Sequence, residues 1–206
     1  MTQESPPNPP RPPGGLKSGF HTPVRTSTIG MNLFLASLFM LFGAGMVGYV
    51  IVRVATEKKL PRGDLIIPQA LWISTAIVVI ASFTIQRAVT ELRHEHQPAF
   101  RRWLLTTLLL AIAFVIIQCP SLTVLFMRQR EMLPKKIALY GLMFVLIILH
   151  AAHVIGGIIA LGWTYSRARK GAYDHETFHP VARVALYWHF LDAVWLVMFL
   201  TFDLVK

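Results

Sequence analysis

The stretch LYWHFLDAVWLVMFLTF, residues 186–202, indicates that the chain lies in a membrane and raises the question of why ionisable residues are placed there. It is apolar enough to lie in a bilayer, yet it contains His189 and Asp192 near one end. A charged side chain at the centre of a membrane helix costs about 3 kcal/mol on insertion scales. The stretch therefore predicts a membrane-spanning helix whose polar residues have a specific task.

The rest of the chain has the same apolar character. Hydrophobic residues make up 54% of the 206 residues and charged residues 15%, against roughly 25% charged in soluble domains. An apolar run of ~20 residues crosses a bilayer as a helix. Five runs are long enough, at about residues 29–52, 66–86, 103–127, 137–165 and 185–204. We expect an all-α polytopic membrane protein, with five transmembrane helices in one bundle within residues 29–206.

The N-terminal residues 1–28 have a different composition. They contain seven of the thirteen prolines, most of them in the run PPNPPRPPGG. Proline lacks a backbone donor and cannot continue a helix or a central strand. We expect a disordered or extended tail here. The tail lacks the apolar core and cleavage site of a signal peptide, so the span from Ile29 is expected to be retained.

The net charge of +10 favours lipid headgroups and anionic partner loops over nucleic acid as partners. The 20 Lys and Arg residues lie between or at the edges of the apolar runs, with no basic face interleaved with aromatic residues. An inner N-terminus places eleven of them inside and nine outside, a weak bias toward N-inside, C-outside. The single cysteine, Cys119, excludes an internal disulfide and a four-thiolate metal site.

Ionisable residues within the apolar runs concentrate in the last two predicted helices. His150 and His153 are three residues apart, as are His189 and Asp192, so each pair shares a helix face. Such pairs could bind a metal, ligate a haem through two histidines, handle protons, or form a hydrogen-bonded cluster between helices. Depth along the helices favours the cluster, with a tie from His153 to Asp192. We expect no catalytic, cofactor-binding or metal-binding residue.

Aromatic and small residues indicate how the predicted helices are anchored and packed. Trp188 is expected at the inner membrane interface and Trp195 between helices. Small residues of the first and fourth helices predict close helix packing; they are Gly43, Ala44, Gly48, Gly156, Gly157, Ala160 and Gly162.

Several motifs resemble one known family. YWHFLDAVWLVMFL, residues 187–200, resembles the last helix of subunit III of the haem–copper oxidases, and LHAAHVIGG, residues 149–157, resembles the helix before it. GMNLFLAS, residues 30–37, and STAIVVIASFTIQRA, residues 74–88, are similar to the family's third and fourth helices. The order is that of the family, and the length matches its short bacterial form of five helices.

The resemblance implies an accessory subunit rather than a catalyst. It implies an oxidase in a bacterial plasma membrane, with haem and copper in partner subunits I and II and none in this chain. Further small subunits could be present. It also implies contact with subunit I, phospholipid held in a cleft, an inner N-terminus and an outer C-terminus. His150, His153, His189, Asp192, Trp188 and Trp195 are then a structural polar cluster or part of that cleft.

Three positions depart from the family pattern. The family's acidic residue in its third helix is replaced by Leu38, an acidic position after Gln118 is replaced by Ser121, and a glycine between the two histidines is replaced by Ala151. These departures also suit an accessory protein of a nitric oxide reductase, the first alternative. A membrane cytochrome with two histidine ligands is the alternative from another class.

Overall fold

The computed structural model describes residues 24–57, 70–129, 137–171, 173 and 178–204. These residues form five helices, and all five are long and apolar enough to span a membrane. They are α1 (Val24–Glu57), α2 (Ala70–Arg93), α3 (Gln97–Gln129), α4 (Ile137–Arg169) and α5 (His179–Leu204). The predicted all-α, five-helix architecture is confirmed.

The observed helices extend beyond the predicted apolar runs. Helix α1 begins at Val24, so residues 24–28, which we expected to belong to the tail, are helical. The prediction for residues 1–23 lies outside the described residues. Helix α5 begins at His179, six residues before the predicted start, and the backbone N–H of Ala182 donates to the Phe178 carbonyl over 3.0 Å. Apolar length therefore marks the part of a helix inside the bilayer, not the whole helix.

Two residues with positive φ lie next to helix ends at one end of the bundle. The turn between α2 and α3 needs only residues 94–96, with Glu95 in the left-handed region at φ 63°. Gly171 ends α4 at φ 70° and donates from its backbone N–H to the Ala168 carbonyl, 3.1 Å away. Glycine adopts this conformation without steric cost, which suits the end of a helix.

Helices α2, α3, α4 and α5 contact one another in a closed ring, and α1 packs on the outside against α4 and α5. The end of the bundle at which α2 and α4 finish and α5 begins is rich in basic residues. We call it the basic end, defined by Arg87, Arg93, Arg101, Arg102, Arg167, Arg169, Lys170 and Arg183.

The buried side chains form two apolar clusters along the bundle axis. One lies toward the basic end and includes Ile85, Leu104 and Trp188. The other lies toward the opposite end and includes Phe114 and Trp195. Between and beside these clusters, hydroxyl, amide, imidazole and carboxyl groups face the interior of the ring.

Candidate functional site

The Asp192 carboxyl group lies in the interior of the ring, with 5% of the residue exposed. The α2 residue Ser82 lies within hydrogen-bonding reach of it. The same Ser82 hydroxyl is 2.6 Å from Nδ1 of His189, one turn earlier on α5. Nε2 of His189 is 3.2 Å from Oε1 of Gln86, also on α2. Asp192 and His189 therefore join α5 to α2.

The expected tie between the fourth and fifth helices through His153 and Asp192 is not formed. Nδ1 of His153 lies 2.7 Å from the Leu149 carbonyl of its own helix. Among the residues that the structure describes, no hydrogen bond joins His153 to Asp192. Instead, the Tyr187 hydroxyl of α5 donates to the backbone carbonyl of His153 on α4 over 3.0 Å.

Of the other predicted aromatic and imidazole residues, His150 and Trp195 stack on each other, whereas Trp188 belongs to the other apolar cluster. The His150 ring stacks on Trp195 with centroids 5.5 Å apart, and its edge faces Phe42 of α1 at 6.1 Å. Trp195 donates from its indole N–H to Thr75 Oγ1 over 3.1 Å. Trp188 is 1% exposed and packs close to Gly157. These residues pack the ring from several helices and do not converge on one point.

Two buried polar contacts were missed by the sequence analysis. Ser74 donates to Oε1 of Gln118 over 2.8 Å and joins α2 to α3. The hydroxyl groups of Thr84 and Thr107 join the same two helices at 2.9 Å. The signal was present in the stretch STAIVVIASFTIQ, which concentrates hydroxyl and amide side chains in one span.

At one of the two positions where the resemblance implies an acidic residue, the side chain bonds within its own helix. Ser121 donates to the Ile117 carbonyl over 2.8 Å, next to Pro120 within α3. Leu38, at the other replaced acidic position, is buried on α1 with 4% exposure. Both positions are thus occupied by residues that need no partner on another helix.

The described residues contain no group of three or more His, Cys, Asp or Glu side chains placed to hold a metal ion. His150 and His189 have different neighbours, namely Trp195 and Phe42 for the first and Ser82 and Gln86 for the second. Several of the polar groups connect helices, namely Ser82 with His189, Ser74 with Gln118, and Thr84 with Thr107.

A groove opens at the basic end between α1, α4 and α5. Its volume is about 480 Å³, and its walls are largely apolar. Arg183 lies at its edge and donates a hydrogen bond to Ser27 of α1. The remaining wall residues include Met31, Phe34, Trp163 and Tyr187. The groove therefore combines an apolar interior with one guanidinium group.

The fold and these contacts define a multi-pass membrane protein whose described polar groups tie helices together. The family model for cytochrome c oxidase subunit III matches residues 15–204. The chain belongs to that family, so it is a subunit of a haem–copper oxidase complex with partner subunits.

Relatives in the family include subunits of oxidases of two kinds. The chain is 26% identical over 175 residues to cytochrome c oxidase subunit 3 of Thermostichus vulcanus, covering 83% of both chains. It is 27% identical over 175 residues to quinol oxidase subunit 3 of Bacillus subtilis, covering 85% of both. It is 29% identical over 174 residues to the probable cytochrome c oxidase subunit 3 of Mycobacterium leprae, covering 84% of both.

Proposed function

We propose that this chain is an accessory, non-catalytic subunit of a terminal oxidase in a bacterial plasma membrane, where it stabilises subunit I. The observation that supports this role most directly is the family match over residues 15–204. In this proposal haem and copper are held by subunits I and II and not by this chain. The N-terminus lies inside and the C-terminus outside, in keeping with the basic end at the start of α1.

The outer surface supplies the area for contact with subunit I. Large apolar side chains face outward on every helix; on α1 they include Phe39, Met40 and Ile51, each more than 60% exposed. Lipid tails and an apolar subunit surface can both cover such a face, and close packing between helices favours the subunit. The contact would restrain neighbouring helices of subunit I and so prolong the life of the catalytic core.

Purification from native membranes in mild detergent tests this assignment. We expect subunits I and II to co-elute with the chain, and we expect the absorption spectrum of the complex to contain the haems of an oxidase. Co-elution with the haem set of a nitric oxide reductase would contradict the oxidase partner. A Soret band on the isolated chain would contradict the accessory role.

We further propose that the groove between α1, α4 and α5 holds a phospholipid. A guanidinium group binds phosphate through two parallel hydrogen bonds, and the apolar walls below Arg183 suit an acyl chain. The surrounding basic end would also attract anionic headgroups, by about 1 kcal/mol for each Lys or Arg near the surface. The groove would then bind the lipid headgroup at Arg183 and the acyl chain along its apolar walls.

Arg183→Gln should lower the amount of phospholipid retained through purification, because the glutamine cannot pair with a phosphate charge. The measurement is native mass spectrometry of the purified complex. Arg87→Gln is the matched control, since Arg87 belongs to the basic end but stacks on Phe83 of α2, 5.0 Å from the ring centroid. Equal lipid retention in wild type and both variants would contradict the lipid site while leaving the subunit assignment intact.

A further inference from the structure

Four side chains from α2 and α5 alternate in a continuous row that begins at an exposed residue and ends at a buried one. Gln86 is exposed, His189 and Ser82 are half-buried, and Asp192 is 5% exposed. The successive contacts are 3.2 Å from Gln86 Oε1 to His189 Nε2 and 2.6 Å from His189 Nδ1 to Ser82 Oγ. Ser82 then reaches the Asp192 carboxyl group.

We propose that Gln86, His189, Ser82 and Asp192 form a proton relay that connects the basic end of the bundle with a protonatable carboxyl group at Asp192. The inference goes beyond the accessory role and needs no partner subunit. Gln86 lies seven residues before Arg93, the last residue of α2, which is about 10 Å along the helix axis. The outer member of the row is therefore close to the headgroup region.

When Asp192 carries a proton, every hydrogen bond of the row can have its donor on the Asp192 side and its acceptor on the Gln86 side. The protonated carboxyl donates to Ser82, the Ser82 hydroxyl donates to Nδ1 of His189, and Nε2–H of His189 donates to the Gln86 carbonyl oxygen. Each hydroxyl, imidazole and carboxyl group then supplies the single proton that its chemistry allows. No two acceptors face each other.

When the proton leaves, the donor and acceptor of each hydrogen bond in the row exchange roles. The carboxyl O–H bond breaks as its proton passes to Ser82, and the Ser82 proton passes to Nδ1 of His189. The imidazolium then loses the proton on Nε2 to water at the basic end, and Nε2 becomes an acceptor for the Gln86 amide N–H after the amide turns. One proton has left, and Asp192 is a carboxylate that accepts from Ser82.

The surroundings of Asp192 favour its protonated form. Among the described residues no Lys or Arg forms an ion pair with it, and one carboxyl oxygen, Oδ2, has no hydrogen-bonding partner. The neighbouring helices bring few charges. Helix α4 supplies His150, against Trp195, and His153, bonded to its own helix, while α1 has no ionisable residue between Ser27 and Tyr49. An ionised carboxylate without a cation is costly in such a place, so a proton neutralises it.

Infrared spectroscopy of the full chain in lipid nanodiscs tests the two halves of the proposal. We expect a C=O stretching band of a protonated carboxylic acid that shifts in D₂O and is absent from Asp192→Asn. Absence of that band from the wild type near neutral pH, or its persistence in Asp192→Asn, would overturn the protonated carboxyl group.

The rate at which this band shifts after mixing with D₂O tests the relay. Ser82→Ala should slow the exchange about tenfold or more, since the path loses its central hydrogen bonds. Ser82→Thr, which keeps the hydroxyl, should restore the rate. His189→Gln keeps the hydrogen bonds but has no group that can take up a proton, and it should slow exchange as well.

Thr90→Val is the matched control for these variants. Thr90 also lies on α2 near the basic end, but its hydroxyl donates to the Gln86 carbonyl of its own helix over 3.1 Å. It should exchange at the wild-type rate. If Ser82→Ala and His189→Gln also exchange at that rate, the proton reaches Asp192 by another route and the relay is refuted.

Discussion

At the scale of single residues, the position of each polar side chain follows from where it finds a partner. Asp192 and His189 both reach Ser82, and Trp195 reaches Thr75, so α2 supplies the polar partners of these three residues of α5. A hydrogen bond within a bilayer contributes about 0.6 kcal/mol on average, which is modest. The larger effect is the cost of leaving a buried polar group without any partner.

The sequence located the polar residues but not their partners. Spacing placed His189 and Asp192 on one face of a helix, and this is a local property that helical geometry determines. The neighbour that this face meets depends on how five helices pack, and depth along an axis carries no information about it. The early start of α5 also shifts every estimate of depth made from the predicted span. The predicted hydrogen bond between His153 and Asp192 is therefore not formed, although the two residues lie at similar depths by sequence.

The pair Ser74 and Gln118 allows a test of the cost of losing a partner. Gln118 is 6% exposed, and its amide nitrogen has no partner among the described residues, so Ser74 is its one tie. The Ser74 hydroxyl also lies 2.9 Å from the Leu71 carbonyl, so its single proton can be directed to either oxygen. Ser74→Ala should destabilise the bundle by about 1 kcal/mol, since it leaves the whole amide unpaired. Gln118→Leu should cost less, because Ser74 keeps Leu71.

Unfolding of the purified chain in mixed detergent micelles measures both changes. The double variant with Ser74→Ala and Gln118→Leu should resemble Gln118→Leu alone, because no unpaired amide remains. A larger loss of stability in Gln118→Leu than in Ser74→Ala would contradict this reasoning.

At the scale of helices, only some of the small residues act as close contacts. A Cβ atom on Gly45 would lie 2.5 Å from Cδ2 of Leu146, so α1 and α4 approach closely there. A Cβ on Gly43, Gly141 or Gly162 would meet no atom within 4 Å. Small-residue spacing correctly selected α1 and α4, but it could not select the residue that faces the neighbour, since several glycines lie within one turn.

Gly157→Ala should destabilise the contact between α4 and α5. Its Cβ would lie 3.2 Å from Cδ1 of Leu191 and 3.2 Å from Cζ3 of Trp188. Both neighbours are buried, so they have little room to move, and overpacking of this kind costs about 1–3 kcal/mol. The midpoint of detergent-induced unfolding should fall accordingly.

Gly162→Ala is the control on the same helix. No atom lies within 4 Å of its Cβ, and alanine favours a helix over glycine, so its stability should equal or exceed that of the wild type. If Gly157→Ala unfolds at the same midpoint as Gly162→Ala, the close contact between Gly157 and Trp188 does not restrict the side chain at this position, and the prediction is wrong.

At the scale of the whole molecule, α2, α3, α4 and α5 form a closed ring, and α1 packs on the outside of it. Side-chain hydrogen bonds join α2 to α3, α2 to α5 and α4 to α5, whereas α1 contributes mainly apolar contacts against α4 and α5. The number of helices and their type followed from composition and run length, because the bilayer imposes both. The arrangement of the helices in a ring could not be predicted in this way, since the order of neighbouring helices depends on long-range packing that no local pattern encodes.

The basic end of the bundle should face the cytoplasm. Lys and Arg accumulate in cytoplasmic segments of membrane proteins, and a cytoplasmic basic end places eleven of the 20 Lys and Arg residues inside and nine outside. The chain has one cysteine, so Cys119→Ser gives a background in which single cysteines can be introduced. His94→Cys places one in the turn after α2, and Glu131→Cys places another between α3 and α4 in the sequence.

A membrane-impermeant maleimide should label the first cysteine only in inside-out vesicles and the second only in right-side-out vesicles. Labelling after detergent solubilisation is the control that both cysteines are reactive, and the Cys119→Ser background alone should remain unlabelled. The opposite pattern would place the basic end outside, and the start of the proposed relay would then face the outer surface. The same vesicles therefore decide from which side protons could reach Asp192.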